Sequence, residues 1–177
     1  VMDTIKKGNM STFNCPEEVF LAEKLVELNP WADMVRFARS GGEANAIAIR
    51  IARAATGKDN VAICGYHGWH DWYLSANLSD NKALDGQLLP GLNPVGVARS
   101  MKGTSYPFFY NSKEELLVLT KKYGDQIGGI ALEAIRNINP DKEFLAIVRA
   151  EAERLNVPLI VDEVSSGFRL NTGGAHL

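Results

Sequence analysis

Four short segments of the sequence bring together residue types that bind ligands or move protons. Each follows a predicted strand, and together they are more informative than any one of them. The segments are Ser40-Gly41-Gly42, Tyr66-His67, Glu133 and Asp162-Glu163. In an open parallel sheet, ligands bind beyond the carboxyl ends of the strands. The pattern therefore predicts one ligand site at that edge of a sheet.

The glycine turn is typical of a site for a phosphate group. Gly41 and Gly42 let the backbone bend sharply, and the following helix directs free N–H groups and its positive dipole end at a ligand. A turn that is merely capped by Ser40 is the alternative. Because the chain contains neither GxGxxG nor GxxxxGK[ST], dinucleotides and P-loop triphosphates are disfavoured.

The segment YHGWHD, which begins at Tyr66, is rich in groups that stack and donate. Aromatic side chains after a strand can cover the face of a planar ligand, although a small aromatic core explains this segment equally well by itself. His67, His70 and Asp71 could also be metal ligands. No further His or Cys arrangement completes a recognisable site, so we expect no metal.

Asp162 follows the apolar residues LIV. Its carboxylate is therefore expected in a low-dielectric place, where it requires a cationic or hydrogen-bonding partner. A protonated ring nitrogen would be such a partner. Pairing with Arg136 or Arg169 is the structural alternative, and Glu163 could pair with Arg169 even if Asp162 is functional.

Hydrophobic periodicity predicts the elements that position these segments. In the helix after the glycine turn, the apolar residues are expected to form the buried face, and Gly57 should form a left-handed cap. Those residues are Ala44, Ile47, Ile51, Ala54 and Ala55. Helices are predicted over residues 16–29, 43–56 and 143–156 and after a capping box at Ser112, and strands over residues 34–38, 60–64, 128–133 and 159–161.

Residues 79–107 contain glycines and prolines without a sustained period. A segment of this length is typical of a functional lid, although a peripheral excursion or a short hairpin is also consistent with it. Elsewhere helices and strands alternate along the chain. This order predicts an α/β fold with a mostly parallel sheet and right-handed crossovers.

Composition agrees with one globular domain, since 46% of the 177 residues are hydrophobic and 23% are charged. The net charge of −2, with both signs interspersed, disfavours nucleic acid and membrane surfaces as partners. Cys15 and Cys64 are too far apart to form a recognisable framework, which favours a reducing compartment. Without a long apolar run or a signal-like start, we expect a cytoplasmic protein. The abrupt ends suggest an internal fragment.

The motifs FARSGGEAN, GYHGWHD, ALEAIRN and VPLIVDEVSSGFR occupy most of residues 34–169. In order and rough spacing they resemble the class III aminotransferases, which are pyridoxal phosphate (PLP) enzymes of fold type I. The glutamate-1-semialdehyde aminomutase-like branch is the most similar. The resemblance implies that the chain is an incomplete large domain, with a mostly parallel sheet flanked by helices, and that PLP is the cofactor.

The resemblance also assigns roles to the glycine turn. Gly41 and Gly42 would donate backbone N–H groups to the cofactor phosphate, with Ser40 and Glu43 in the same loop. The family usually carries a hydroxyl residue where this chain has Gly42. One side-chain contact, worth about 1.5–3 kcal/mol with a charged acceptor, would therefore be lost unless another group replaces it.

Around the pyridine ring, the resemblance implies that Tyr66 stacks on one face with His67 beside it, and that Val164 packs on the other face. Asp162 would be the catalytic residue of this chain, because a carboxylate on the ring nitrogen keeps that nitrogen protonated and lets the ring accept electrons. Glu133 would lie in the surrounding polar network.

A second departure concerns the family's Schiff-base lysine, which lies one strand beyond the DEV motif. The last lysine here is Lys142, before Asp162. We therefore expect that lysine, an N-terminal segment and the smaller C-terminal domain to be absent from these residues, which alone should be inactive.

The resemblance implies transfer of an amino group from a small-molecule amino donor to an aldehyde or keto acceptor, by a homodimer when complete. The alternative within the family is glutamate-1-semialdehyde 2,1-aminomutase, which moves the group inside one molecule. A non-catalytic domain that binds a cofactor or a sugar phosphate is the second alternative.

Overall fold

A computed structural model describes residues 1–7, 15–135 and 137–177, apart from the side chain of Thr4. Arg136, one of the partners considered for Asp162, lies outside these residues. The chain forms two compact units. One comprises residues 1–37, 167–175 and 177, and the other comprises residues 38–166 and 176. All of the predicted site residues belong to the second unit.

The first unit contains the helices α1 (Met2–Lys7) and α2 (Pro16–Leu28). As predicted, α2 begins at a proline with acidic residues in its first turn, and Glu18 Oε2 accepts from the backbone N–H of Cys15 at 3.0 Å. The predicted strand over residues 34–38 is wrong, because this segment pairs with none of the four strands of the sheet. Val35 and Phe37 are half-buried and Arg36 between them is exposed, which accounts for the alternating pattern without a partner strand.

The second unit contains the remaining helices and strands, with three short 3₁₀ turns between them. In chain order they are α3 (Gly41–Thr56), β1 (Asn60–Cys64), α4 (Asp71–Leu74), β2 (Ser105–Pro107), α5 (Lys113–Tyr123), β3 (Ile127–Glu133), α6 (Lys142–Leu155) and β4 (Leu159–Asp162). The predicted α/β alternation is confirmed.

The strands form one sheet in the order β2-β1-β3-β4, and every neighbouring pair is parallel. Both faces are covered, as apolar parallel strands require. On one face Ile130 and Leu132 pack against Phe144 and other residues of α5 and α6. On the other face Val61, Ile63 and Ala131 pack against residues of α3 and α4.

The buried face of α3 differs from the prediction. Asn45, Ile49 and Ala52 are buried, whereas Ile51 is 58% exposed, and Ala44, Ala54 and Ala55 are also exposed. The apolar residues of α3 predicted the wrong buried face, because the face that packs against the sheet includes a polar residue, Asn45. The left-handed cap at Gly57 is confirmed by its φ of 68°.

The capping box predicted before α5 is not formed, and the strand β2 was not predicted. The side chain of Ser112 makes no capping hydrogen bond, and Glu115 Oε2 instead accepts from the backbone N–H of Phe109 at 2.8 Å. The segment 79–107 ends in a strand, β2, which is too short to show a period. Earlier in that segment Leu84 is fully buried in the α3-side core, and Gln87 accepts from the N–H of Gly65 at 2.7 Å.

Candidate functional site

The carboxyl ends of β1, β3 and β4 lie side by side. Cys64 is the register partner of Leu132, and Glu133 is the partner of Asp162. After β1 the chain turns to the α3 and α4 face, and after β3 it continues to the α6 face. Loops that leave neighbouring strands towards opposite faces create the crevice in which α/β folds bind ligands. The predicted convergence of strand ends is therefore confirmed for the segments that follow β1, β3 and β4, whereas Ser40-Gly41-Gly42 follows no strand of this sheet and begins α3.

Asp162 stands at the end of β4 with only 8% of its surface exposed. Its Oδ2 accepts from Asn45 Nδ2 at 2.7 Å and lies 2.8 Å from His67 Nδ1, and its Oδ1 accepts from the N–H of Val164 at 3.0 Å. The partners of Asp162 among the described residues are thus an amide, an imidazole and a backbone N–H. The sequence had offered pairing with an arginine as the structural alternative. Glu163 contacts His176, with 2.7 Å between Oε1 and Nδ1.

These contacts decide the protonation of Asp162. Burial raises the pKa of the carboxyl, but the hydrogen bond from His67, the N–H of Val164 and the amide of Asn45 together hold that pKa below its usual range. The carboxylate is therefore ionised at neutral pH. Because an ionised carboxylate only accepts, His67 Nδ1 must carry the proton and donate it. About four acceptor positions exist on a carboxylate, and one on Oδ1 remains for a ligand.

Asn45 is the member of this group that sequence reasoning missed. Its signal was a polar residue in an otherwise apolar helix, four residues before Ile49 on the same face. Its contact with Asp162 joins positions 117 residues apart, which no local pattern shows.

The glycine turn forms the first turn of α3. Ser40 Oγ accepts from the N–H of Glu43 at 3.3 Å, and Glu43 Oε2 accepts from the N–H of Arg39 at 2.8 Å. Both side chains therefore stabilise the start of the helix. The N–H groups of Gly41 and Gly42 precede the first residue that can find an acceptor within the helix, so they are available to an anion.

The surroundings of these glycines leave no room for side chains. A Cβ at Gly41 would lie 2.7 Å from Val164 Cγ2, and a Cβ at Gly42 would lie 2.8 Å from His70 Nδ1. The φ of Gly68 is +97°, and a Cβ added at this residue would lie 3.0 Å from the Cα of Gly42. The glycine turn, the YHGWHD segment and the DEV motif thus meet in direct contact.

Tyr66 and Glu133 are joined across the crevice between β1 and β3. The N–H of Tyr66 donates to Glu133 Oε2 at 3.0 Å, and Glu133 is buried. The half-buried ring of Tyr66 meets Tyr73 edge-on at 5.8 Å. Glu133 therefore holds the turn that presents the Tyr66 ring.

His67 lies in the interior, next to Asp162. It is 1% exposed, contacts Asp162 and stacks against Trp72 with 6.1 Å between ring centroids. His67 Nε2 is buried without a hydrogen-bond partner among the described residues. Val164, in contrast, is 66% exposed while its methyl groups reach Gly41.

Within ranges 1–7, 15–135 and 137–177, no group of three or more His, Cys, Asp and Glu side chains is placed to hold a metal ion. None of the helices in the described part of the chain is both long and apolar enough to cross a membrane.

The fold and the site define an α/β domain with a backbone anion cradle and a buried ionised carboxylate at the same sheet edge. The chain belongs to the class III aminotransferases, whose family pattern it matches over residues 1–176.

Several known proteins are similar to it. It is 39% identical over 168 residues to a glutamate-1-semialdehyde 2,1-aminomutase of Methanobrevibacter smithii, covering 89% of this chain and 37% of that protein. It is 34% identical to a 3-aminobutyryl-CoA aminotransferase of Cloacimonas acidaminovorans, covering 88% and 35%. A transaminase solved with PLP bound superposes with a TM-score of 0.80 at 26% identity, covering 97% and 40%. The chain therefore spans well under half the length of these relatives.

Proposed function

We propose that the complete protein uses PLP to transfer an amino group between a small-molecule amino donor and an aldehyde or keto acceptor. The observation that carries this proposal is the ionised, hydrogen-bonded Asp162 at the same sheet edge as the Gly41-Gly42 cradle. Membership of the class III aminotransferases supports it, and a similar transaminase has PLP bound.

The residues present fit PLP at both of its charged ends. The cradle at Gly41 and Gly42 offers N–H groups at a helix N-terminus, which suits a phosphate. The remaining acceptor position on Asp162 Oδ1 suits a protonated ring nitrogen, and burial strengthens the attraction between these opposite charges.

When bound, PLP supplies a ring that accepts the electron pair released when the substrate Cα–H bond breaks. Asp162 would hold the proton on the ring nitrogen, and Asn45 and His67 orient its carboxylate for that contact. Tyr66 and Val164 would exclude water from the ring. Glu133 keeps the turn before the Tyr66 ring in place.

The test is Asp162→Ala in the complete protein. We expect PLP to be retained through its phosphate, whereas half-transamination with an amino donor, followed by the cofactor absorbance, falls by several orders of magnitude. Asp125→Ala is the matched control, because it removes an exposed carboxylate just before the start of β3, whereas the proposed site lies at the end of that strand. An unchanged rate in Asp162→Ala would refute the assigned role.

A second candidate is glutamate-1-semialdehyde 2,1-aminomutase, favoured by the similarity to the Methanobrevibacter smithii enzyme. The similarity to an aminotransferase of Cloacimonas acidaminovorans favours transfer between two molecules. Incubating the complete protein with glutamate 1-semialdehyde separates the two. Formation of 5-aminolevulinate without a second amino donor would establish the mutase. A non-catalytic binding domain would show neither activity.

The complete protein is further proposed to be a cytoplasmic homodimer. Cys15 and Cys64 lie far apart in the sequence and form no recognisable disulfide framework, which favours a reducing compartment. The dimer rests on the resemblance alone. Light scattering after size-exclusion chromatography measures its mass directly, and a monomeric mass would contradict it.

A further inference from the structure

The edge of the His70 imidazole occupies the space in front of Gly42. A Cβ at position 42 would lie 2.8 Å from His70 Nδ1 and 2.9 Å from His70 Cε1, which is closer than real Cβ atoms approach other heavy atoms. A hydroxyl side chain, the type usual for the family at position 42, cannot stand there while the ring keeps this position. The position of the His70 ring therefore requires a glycine at position 42.

The imidazole is held where it is by its own segment. Its ring stacks on Trp69 with 4.9 Å between centroids and 27° between planes. Gly68 adopts a positive φ of 97° and packs its backbone against Gly42, so the chain brings His70 close to the first turn of α3. A residue with a Cβ at position 68 would be strained in this backbone conformation.

His70 Nδ1 is buried and has no hydrogen-bond partner among the described residues. A buried polar atom without a partner is destabilising, and folded proteins almost always provide one. Nδ1 is aimed at the same turn whose N–H groups form the anion cradle. An anion in that cradle would be the partner that Nδ1 lacks.

We propose that His70 is an additional ligand of the cofactor phosphate and replaces the hydroxyl that Gly42 does not supply. The proposal rests on the proposed function, because the phosphate is that of PLP. Nδ1–H donates to a phosphate oxygen, as the hydroxyl would have done. The imidazole of His70 then fills the space that a hydroxyl side chain at position 42 would occupy. It also supplies the hydrogen-bond donor that such a side chain would offer to the phosphate.

The test compares PLP with pyridoxal, which lacks the phosphate, as ligands of the complete apo-protein. His70→Leu keeps an apolar side chain of similar size without a donor, and His70→Asn keeps an amide donor near the place of Nδ1. We expect His70→Leu to weaken PLP binding by about 10- to 100-fold, as for a hydrogen bond to a charged group, and to change pyridoxal binding by less than about 2-fold. His70→Asn should retain most of the PLP affinity.

A second pair of variants tests the same proposal if His70→Leu does not fold. Gly42→Thr alone should lose affinity, because its Cβ meets the imidazole. In a His70→Ala background, Gly42→Thr should regain PLP affinity at least about 5-fold, since the hydroxyl has room and the donor returns. Circular dichroism verifies that each variant is folded.

The results separate the two proposals. Equal losses for PLP and pyridoxal in His70→Leu, or no loss for PLP, would overturn the role of His70 while leaving the cofactor in place. Failure of the unaltered complete protein to bind PLP would overturn the proposed function itself.

Discussion

His67 Nδ1 donates a hydrogen bond to Asp162 Oδ2 at 2.8 Å, and both side chains are more than nine-tenths buried. The two residues come from the ends of β1 and β4, which are not neighbours in the sheet. Asn45 from α3 completes the group by donating to the same oxygen. The buried carboxylate is therefore ionised and oriented before any ligand arrives, which spares a reorganisation cost when one binds.

Asn45→Leu should lower the free energy of unfolding by about 1–3 kcal/mol at neutral pH, because it leaves a buried carboxylate with one donor fewer. Urea denaturation measures the change. The control is the double variant Asn45→Leu/Asp162→Asn, in which the charge that needs the donor is gone. The loss caused by Asn45→Leu should be smaller in that background. Strictly additive losses would show that the hydrogen bond contributes little.

The contribution of Asp162 to the free energy of unfolding should decrease at acidic pH. The folded protein holds the pKa of this carboxyl below its usual value of about 3.9. The contribution is therefore fully present above that value and is lost as pH falls through the lower, folded pKa. We expect the difference in unfolding free energy between the native protein and Asp162→Asn to shrink from about pH 5 to about pH 2.5. A difference that stays constant over this range would contradict the sign.

Gly65→Ala should destabilise the protein by about 2–4 kcal/mol, measured by urea denaturation. Its φ of +114° is strained for a residue with a Cβ, and that Cβ would lie 2.6 Å from Glu133 Oε2. Gly57→Ala is the matched control, since Gly57 also has a positive φ of 68° but no atom within 4 Å of the Cβ position. We expect it to cost about 1 kcal/mol. Equal costs would mean that the contact with Glu133 adds nothing.

Residues 1–177 alone, incubated with PLP and borohydride, should yield no adduct at a unique lysine. The reason is that the last lysine is Lys142, whereas the lysine implied by the resemblance follows the DEV motif. Peptide mapping by mass spectrometry locates any adduct, and the complete protein serves as the positive control. A single modified lysine within residues 1–177 would contradict the expectation.

The sequence predicted well those features whose physical cause is local. Strands β1, β3 and β4 were each an apolar run, with β3 and β4 ending at the carboxylates of Glu133 and Asp162, and the caps at Ser40 and Gly57 act on backbone groups within four residues. It failed for β2, whose three residues show no period, and for the segment 34–38, whose alternation indicates half-burial without a partner strand.

By itself, the sequence determined the α/β alternation, the strand ends that carry polar residues and the motifs that resemble class III aminotransferases. Only the tertiary structure decided which of these groups touch one another. Asp162 is joined to His67 across 95 residues and to Asn45 across 117, and His70 faces Gly42. Such contacts depend on strand order and on how α3 packs on the sheet, and neither follows from the spacing of residues along the chain.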